Sequence, residues 1–175
     1  MLRLNSSMQN MPIVSLRTAG VVGHTTNIII NPNKFNIDGW HCLDKFSKHS
    51  LVLLSRDIRD FVPQGIAVDD HDAMTDPEDL IRLQEIIAIN YNPLGKIVVT
   101  DRKRRIGKVS DYSIDTAAFK IQKLLVNRPV YKSFSEGHIS IDRNQILEIN
   151  DKQIIIRDTD IKSQAVVPKA VLATS

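Results

Sequence analysis

Along the chain, apolar residues fall in short β-branched runs separated by turn residues, a pattern that predicts strands in preference to helices. In the first half the expected strands are Ile13–Arg17, Val21–Asn31, Gly39–Leu43, Ser50–Ser55 and Gly65–Val68. In the second half they are Lys96–Thr100, Ile106–Asp115, Lys120–Asn127, His138–Asp142, Gln145–Asn150 and Gln153–Arg157. Asn150-Asp151 lies between two alternating runs and predicts a tight hairpin.

One segment has a different period. From Pro77 to Ala88, Leu80, Leu83, Ile86 and Ile87 recur at helical spacing with Arg82 and Gln84 between them, so a helix is expected there. Asp76-Pro77 supplies an N-cap and a first-turn proline, while Thr75 and Glu78 offer a capping box as the alternative. The acidic run Asp69, Asp70, Asp72 precedes the helix and Asn90-Tyr91-Asn92-Pro93 follows it, which predicts a linker between two units.

The two halves resemble each other. A shift of 84 residues superposes Ile13 on Ile97, Val14 on Val98, Gly23 on Gly107, Ile30 on Ile114, Phe35 on Phe119 and Ile37 on Ile121. Asn27 and Asn31 then fall on Asp111 and Asp115. Farther along, a shift of 87 places Leu54-Ser55-Arg56-Asp57 on Ile141-Asp142-Arg143-Asn144. A duplication accounts for these matches. Units of this size bury a marginal core alone, and closing their strands into a small barrel would remove exposed edges with few residues.

Composition narrows the class of protein. The chain has 175 residues, 42% hydrophobic and 25% charged, which is globular rather than disordered. No apolar stretch has the length of a spanning helix, and Met1 to Met11 has no secretory pattern, with Met8 and Met11 as alternative starts; a cytoplasmic protein is expected. The single cysteine, Cys42, leaves no partner for an internal disulfide and no thiolate set for zinc. Charge is uneven: residues 1–90 carry 8 Lys/Arg against 11 Asp/Glu, and residues 91–175 carry 15 against 9.

Three stretches in the second half carry a family signature. These are Ile97-Val98-Val99-Thr100, Ile106-Gly107-Lys108-Val109-Ser110-Asp111-Tyr112-Ser113-Ile114-Asp115, and Lys120-Ile121-Gln122-Lys123-Leu124-Leu125-Val126. The order, a short strand, a turn, a Gly-x-Val-x-Asp strand ending in Asp and a further apolar strand, resembles the PRC-barrel family. The resemblance spans residues 96–157, and more weakly 12–68 through the internal repeat. It implies a small barrel serving as an interaction module without catalytic residues of its own. The chain lacks the spanning segment of the family's membrane-anchored members and the adjacent tyrosine pair of its ribosome-associated members. Gly107 suits either a close backbone approach or a turn. Val109 and Tyr112 cannot share a face of an unbroken strand, so a bulge is expected near Ser110-Asp111.

Other motifs are weighed individually. Arg102-Lys103-Arg104-Arg105, with Lys96 and Lys108 nearby, forms a basic hairpin able to meet phosphates, or a solvated tip serving solubility. Asp69-Asp70-His71-Asp72 contains metal-ligand chemistry but lacks the calcium-loop pattern, and reads first as a solvated acidic linker beside a helix N-terminus. Cys42 beside His41 and Trp40 reads as a buried core cysteine, and His24, His49 and His138 are scattered. Gly20-Val21-Val22-Gly23 has no dinucleotide fingerprint.

The expectation is therefore a mainly β protein of two small PRC-type barrels in tandem joined by a short α-helix. Residues 12–68 form the first barrel, 69–95 the acidic linker and helix, 96–161 the second barrel, and 162–175 a mobile tail. Gly23 and Gly107 are structural glycines. Function is expected to be a non-catalytic adaptor binding another protein, without cofactor or metal. The alternative is an RNA- or ribosome-associated factor contacting nucleic acid through Lys96, Arg102, Lys103, Arg104, Arg105 and Lys108.

Overall fold

The computed structural model describes residues 1–128 and 138–158, so the expected tail over 162–175 lies outside the described residues. The protein is mainly β. Its strands are β1 (Leu2–Leu4), β2 (Pro12–Ser15), β3 (Val21–Asn31), β4 (Asn36–Asp44), β5 (Ser50–Leu54), β6 (Ile58–Val62), β7 (Gly65–Val68), β8 (Met74–Thr75), β9 (Ile97–Thr100), β10 (Arg105–Asp115), β11 (Lys120–Asn127), β12 (His138–Asp142), β13 (Ile146–Ile149) and β14 (Gln153–Ile156). Among the described residues there is one α-helix, α1 (Gln84–Ile89), which follows two 3₁₀ turns at Pro77–Asp79 and Ile81–Leu83.

The chain divides into two compact units, Ser6–Tyr91 and Met1–Asn5 with Asn92–Ser175. In the Ser6–Tyr91 unit the strands pair in the order β6-β7-β2-β3-β4-β5, and in the other the order is β13-β14-β9-β10-β11-β12. In both, one pair is parallel, β7 beside β2 and β14 beside β9, and all other pairs in these two orders are antiparallel. Among the described residues no pair joins the two ends of either ladder.

The repeat extends to register and irregularities. Ile28 faces Trp40 as Tyr112 faces Leu124, and Ile30 faces Ile37 as Ile114 faces Ile121. Bulges fall between Thr25 and Ile28 in one unit and between Val109 and Asp111 in the other. The second is the bulge expected from the sequence, and it lets Val109 and Tyr112 both be buried. At the β3–β4 hairpin Asn31 Oδ1 accepts the amides of Asn33 and Lys34, and at the β10–β11 hairpin Asp115 Oδ1 accepts that of Ala117. Phe35 (φ 53°) and Phe119 (φ 51°) occupy the same left-handed position after those turns.

Two alignments need correction by one residue. Ile13, buried and facing Gly23, corresponds to Val98, buried and facing Gly107, so Ile13 does not match Ile97 nor Val14 Val98. The cause is the β2–β3 connection, residues 16–20, which is one residue longer than its counterpart at 101–104. Likewise the 3₁₀ turn Ser55–Asp57 corresponds to Arg143–Gln145, a shift of 88 rather than 87.

The predicted helix Pro77–Ala88 is broken. Leu80, at φ −93° and ψ 58°, interrupts it, leaving two 3₁₀ turns and a six-residue α-helix. Of the two proposed caps, Asp76 forms the bond, its carboxylate accepting the Glu78 amide at 2.9 Å. Nor is the segment a free linker. Leu80, Leu83, Ile86 and Ile87 pack on Ile29, Val52 and Leu54, the outer face of β3 and β5. The equivalent residues in the other unit are Ser113, Ser140 and Asp142, which offer no apolar landing for a helix.

Three strands were not expected: β1, β6 and β8. Strand β1 lies antiparallel along β10, with Leu2 facing Asp115 and Leu4 facing Ser113. It is anchored by Asn5, which is buried and accepts the Tyr112 hydroxyl at 3.0 Å. Measured back from β2 and β9, Leu2-Arg3-Leu4-Asn5 and Ile87-Ala88-Ile89-Asn90 occupy the same place in the repeat, each followed five residues on by a left-handed residue, Asn10 (φ 53°) or Gly95 (φ 77°). Each of these leading segments belongs to the unit it does not lead into, one as a strand on β10 and the other as the end of a helix on β3.

Candidate functional site

The basic residues are gathered at the β9–β10 hairpin. Thr100 builds the turn: its carbonyl accepts the Lys103 amide at 2.8 Å, its amide donates to the Arg104 carbonyl at 2.9 Å and its hydroxyl accepts the Arg104 amide at 3.1 Å. Lys103 takes the left-handed position at φ 62°. Asp158, just after β14, receives Arg104 Nη2 at 2.5 Å and Arg102 Nε at 3.8 Å, while its amide donates to Asp101 Oδ1 at 3.0 Å. One shielded carboxylate thus serves two exposed guanidinium groups. Lys103 and Arg105 are exposed beside them.

Lys96 and Lys108 do not join this cluster. Lys108 faces Ile97, at the opposite end of β9 from the hairpin, about 10 Å along the strand. The Lys96 ammonium donates to the Asp151 carbonyl in the β13–β14 turn. That turn closes as expected around Asn150, whose side-chain oxygen accepts the amides of Lys152 and Gln153.

Gly107 and Gly23 are positions of close approach. A Cβ on Gly107 would lie 1.9 Å from the Asn127 carbonyl oxygen, and one on Gly23 2.9 Å from that of Leu43. The alternative of an ordinary turn glycine does not apply to Gly107, which sits within β10.

In the acidic stretch Asp69, Asp70 and His71 are each engaged by a partner, while Asp72 is exposed. Asp69 is paired with the Arg59 guanidinium, which holds its carboxyl below the usual range. Asp70 accepts the Ser15 hydroxyl at 3.0 Å and Arg17 Nη1 at 2.9 Å; the His71 backbone amide is the main cause of its lowered pKa. His71 Nε2 lies 2.8 Å from Asp44 Oδ1, and the Phe46 ring is tilted against the imidazole at 5.6 Å. Asp44 is buried, yet its carboxyl is held far below the ordinary range. The Ser47 hydroxyl is the chief cause, and the amides of Ser47 and Phe46 together with His71 outweigh the burial. Because the hydroxyl of Ser47 and the imidazole of His71 both bind the carboxylate, this trio ties the β4–β5 loop to the β7–β8 connection and does not present serine to histidine as nucleophile to base. Asp44, Ser47 and Asp158 were not singled out from the sequence, and His71 was singled out only within the acidic stretch. The spacing Asp44-x-x-Ser47 and the repeat, which places Asp158 on Asp70, are the signals that find them.

Cys42 is buried, with Sγ 3.4 Å from the Trp40 carbonyl oxygen, and burial pushes its thiol up to about 12, so it is protonated at neutral pH. Burial lowers the pKa of His41. A shallow recess beside α1 is lined by Ile28, Ile29, Ile30, His41, Ile86, Ile87, Asn90 and Tyr91. Among the described residues no group of His, Cys, Asp and Glu is arranged to hold a metal ion, and no helix is long and apolar enough to cross a membrane.

No protein-family model matches the chain, and no curated protein is similar to it in sequence.

Proposed function

We propose that the chain is a tandem pair of PRC-type barrels acting in the cytoplasm as a non-catalytic adaptor for another protein. One observation carries the reading: the two units keep the same strand order, bulges and hairpin caps, while their outward positions differ. Exposed Arg59 in one unit stands where exposed Leu147 stands in the other, and Ile29, Val52 and Leu54, covered by the helical segment, stand where Ser113, Ser140 and Asp142 stand. A frame held constant under divergent surfaces is what a duplicated binding module requires, since recognition resides in exposed side chains and not in the fold. Curling of the first ladder is supported by Phe61 on β6, which meets Trp40 on β4 edge-to-face at 6.0 Å although four pairings separate the two strands.

The edge best suited to a partner is β13. There Leu147 is 49% exposed at the position where β6 carries Arg59 in an ion pair with Asp69. A charged edge resists added strands, and an apolar one accepts them. Affinity capture from native lysate tests the proposal. It expects a stoichiometric protein partner that survives nuclease treatment and is lost with L147R; no retained protein, or one retained equally by L147R, counts against it.

A further inference from the structure

The repeat provides an internal control for the basic hairpin. The β2–β3 hairpin is built by the same devices as the β9–β10 hairpin. Ser15 Oγ accepts the Thr18 amide at 3.2 Å as Thr100 Oγ1 accepts that of Arg104, and Ala19 (φ 54°) takes the left-handed place of Lys103. Arg17 pairs with Asp70 as Arg102 pairs with Asp158. The fold therefore uses one arginine and one carboxylate per hairpin. Beyond that pair, the first unit completes the turn with Thr18, Ala19, Gly20 and Val21, while the second has Lys103, Arg104 and Arg105.

These three cations are surplus to the geometry. A lysine in the left-handed region is less favourable than glycine, and adjacent like charges repel. Arg104 must share the carboxylate that Arg102 already uses. Counting Arg157, which is exposed next to Asp158, five cations stand with two carboxylates, Asp101 and Asp158, among the described residues of the turn and the end of β14. A row of exposed cations that outnumbers the carboxylates beside it, at a tight turn, fits a ligand whose negative charges repeat along a flexible line. No aromatic side chain lies in the turn to stack a base, so contact would be with the backbone and indifferent to sequence.

We infer that the β9–β10 hairpin binds the phosphodiester backbone of single-stranded RNA, with Lys103 and Arg105 making the contacts and the Asp158 pair holding the turn in shape. This goes beyond the adaptor reading, which does not require it. The test is fluorescence anisotropy of a labelled oligouridylate with the full chain across a salt series. The wild-type protein should bind at low salt and lose affinity steeply as salt rises. The variant K103Q/R105Q keeps Arg102, Arg104 and Asp158, so its melting temperature should match the wild type. Its log–log salt slope should fall by about 1.4, because each single-strand phosphate contact contributes about 0.7. The control K45Q/K48Q removes two exposed lysines from the other unit and should leave the slope unchanged. Absence of RNA binding at low salt would overturn the inference, as would equal losses in the two double variants. Binding to anionic lipid vesicles but not to RNA would overturn it too.

Discussion

Arg17 Nη1 lies 2.9 Å from Asp70, joining the turn after β2 to the residue pair that follows β7, and Arg102 with Asp158 joins the turn after β9 to the end of β14 in the other unit. Parallel neighbours need such a tie, because no hairpin links β2 to β7 or β9 to β14.

Replacing Asp158 with Asn tests the tie. Arg102 and Arg104 are 81% and 49% exposed at the side chain, so the loss should be no more than about 1 kcal/mol by urea unfolding. The same change removes a negative charge from the hairpin, so RNA affinity should rise while stability falls.

Gly107→Ala should be among the most damaging substitutions in the molecule. Its Cβ would overlap the Asn127 carbonyl oxygen at 1.9 Å, and β10 and β11 must separate to admit it, at a cost expected to exceed about 3 kcal/mol. Gly95→Ala is the comparison. At φ 77° with nothing within 4 Å, it should cost only about 1 kcal/mol, the ordinary penalty of a left-handed alanine. Chemical denaturation of the two variants checks the ranking.

The Asp44 carboxyl predicts a specific acid response. Its folded pKa lies below its unfolded one, so its contribution is complete above the ordinary carboxylate range and disappears as pH falls through that range toward the folded value. Denaturation midpoints measured from neutral pH downward should drop in the wild type and decline less in D44N, which begins lower.

Cys42 should not react with thiol reagents in the native protein at pH 8, because burial removes both access and thiolate. Labelling should become complete in denaturant. Native labelling at the rate of a free thiol would contradict the burial.

Ile29→Ser transfers the outer-face chemistry of the second unit to the first. Removing a buried isoleucine beneath Leu83 and Ile86 should cost about 2–4 kcal/mol, with hydrogen exchange accelerating first in α1.

Much of this fold is legible from the sequence because alternation is strong where one face is buried: β3, β7, β11 and β12 have the predicted limits. The bulge at Asp111 follows from the conflict between Val109 and Tyr112. What escapes is local structure that depends on remote partners. Leu2-Arg3-Leu4 is too short to show a period and becomes a strand only because β10 offers an edge. Ile58-Arg59-Asp60 reads as a loop, since its charges hide an edge strand whose arginine is satisfied by Asp69. At the basic hairpin the cluster Arg102–Arg105 is evident in the sequence, but the role of Asp158, fifty-four residues beyond Arg104, is not.

The placement of Leu2–Leu4 also bears on synthesis. The edge that receives these residues, Ser113–Asp115, is translated more than a hundred residues after them. Until then the leading strand has no ladder to join. The unit it completes must wait for strands that lie beyond the intervening unit, Ser6–Tyr91, which can form sooner.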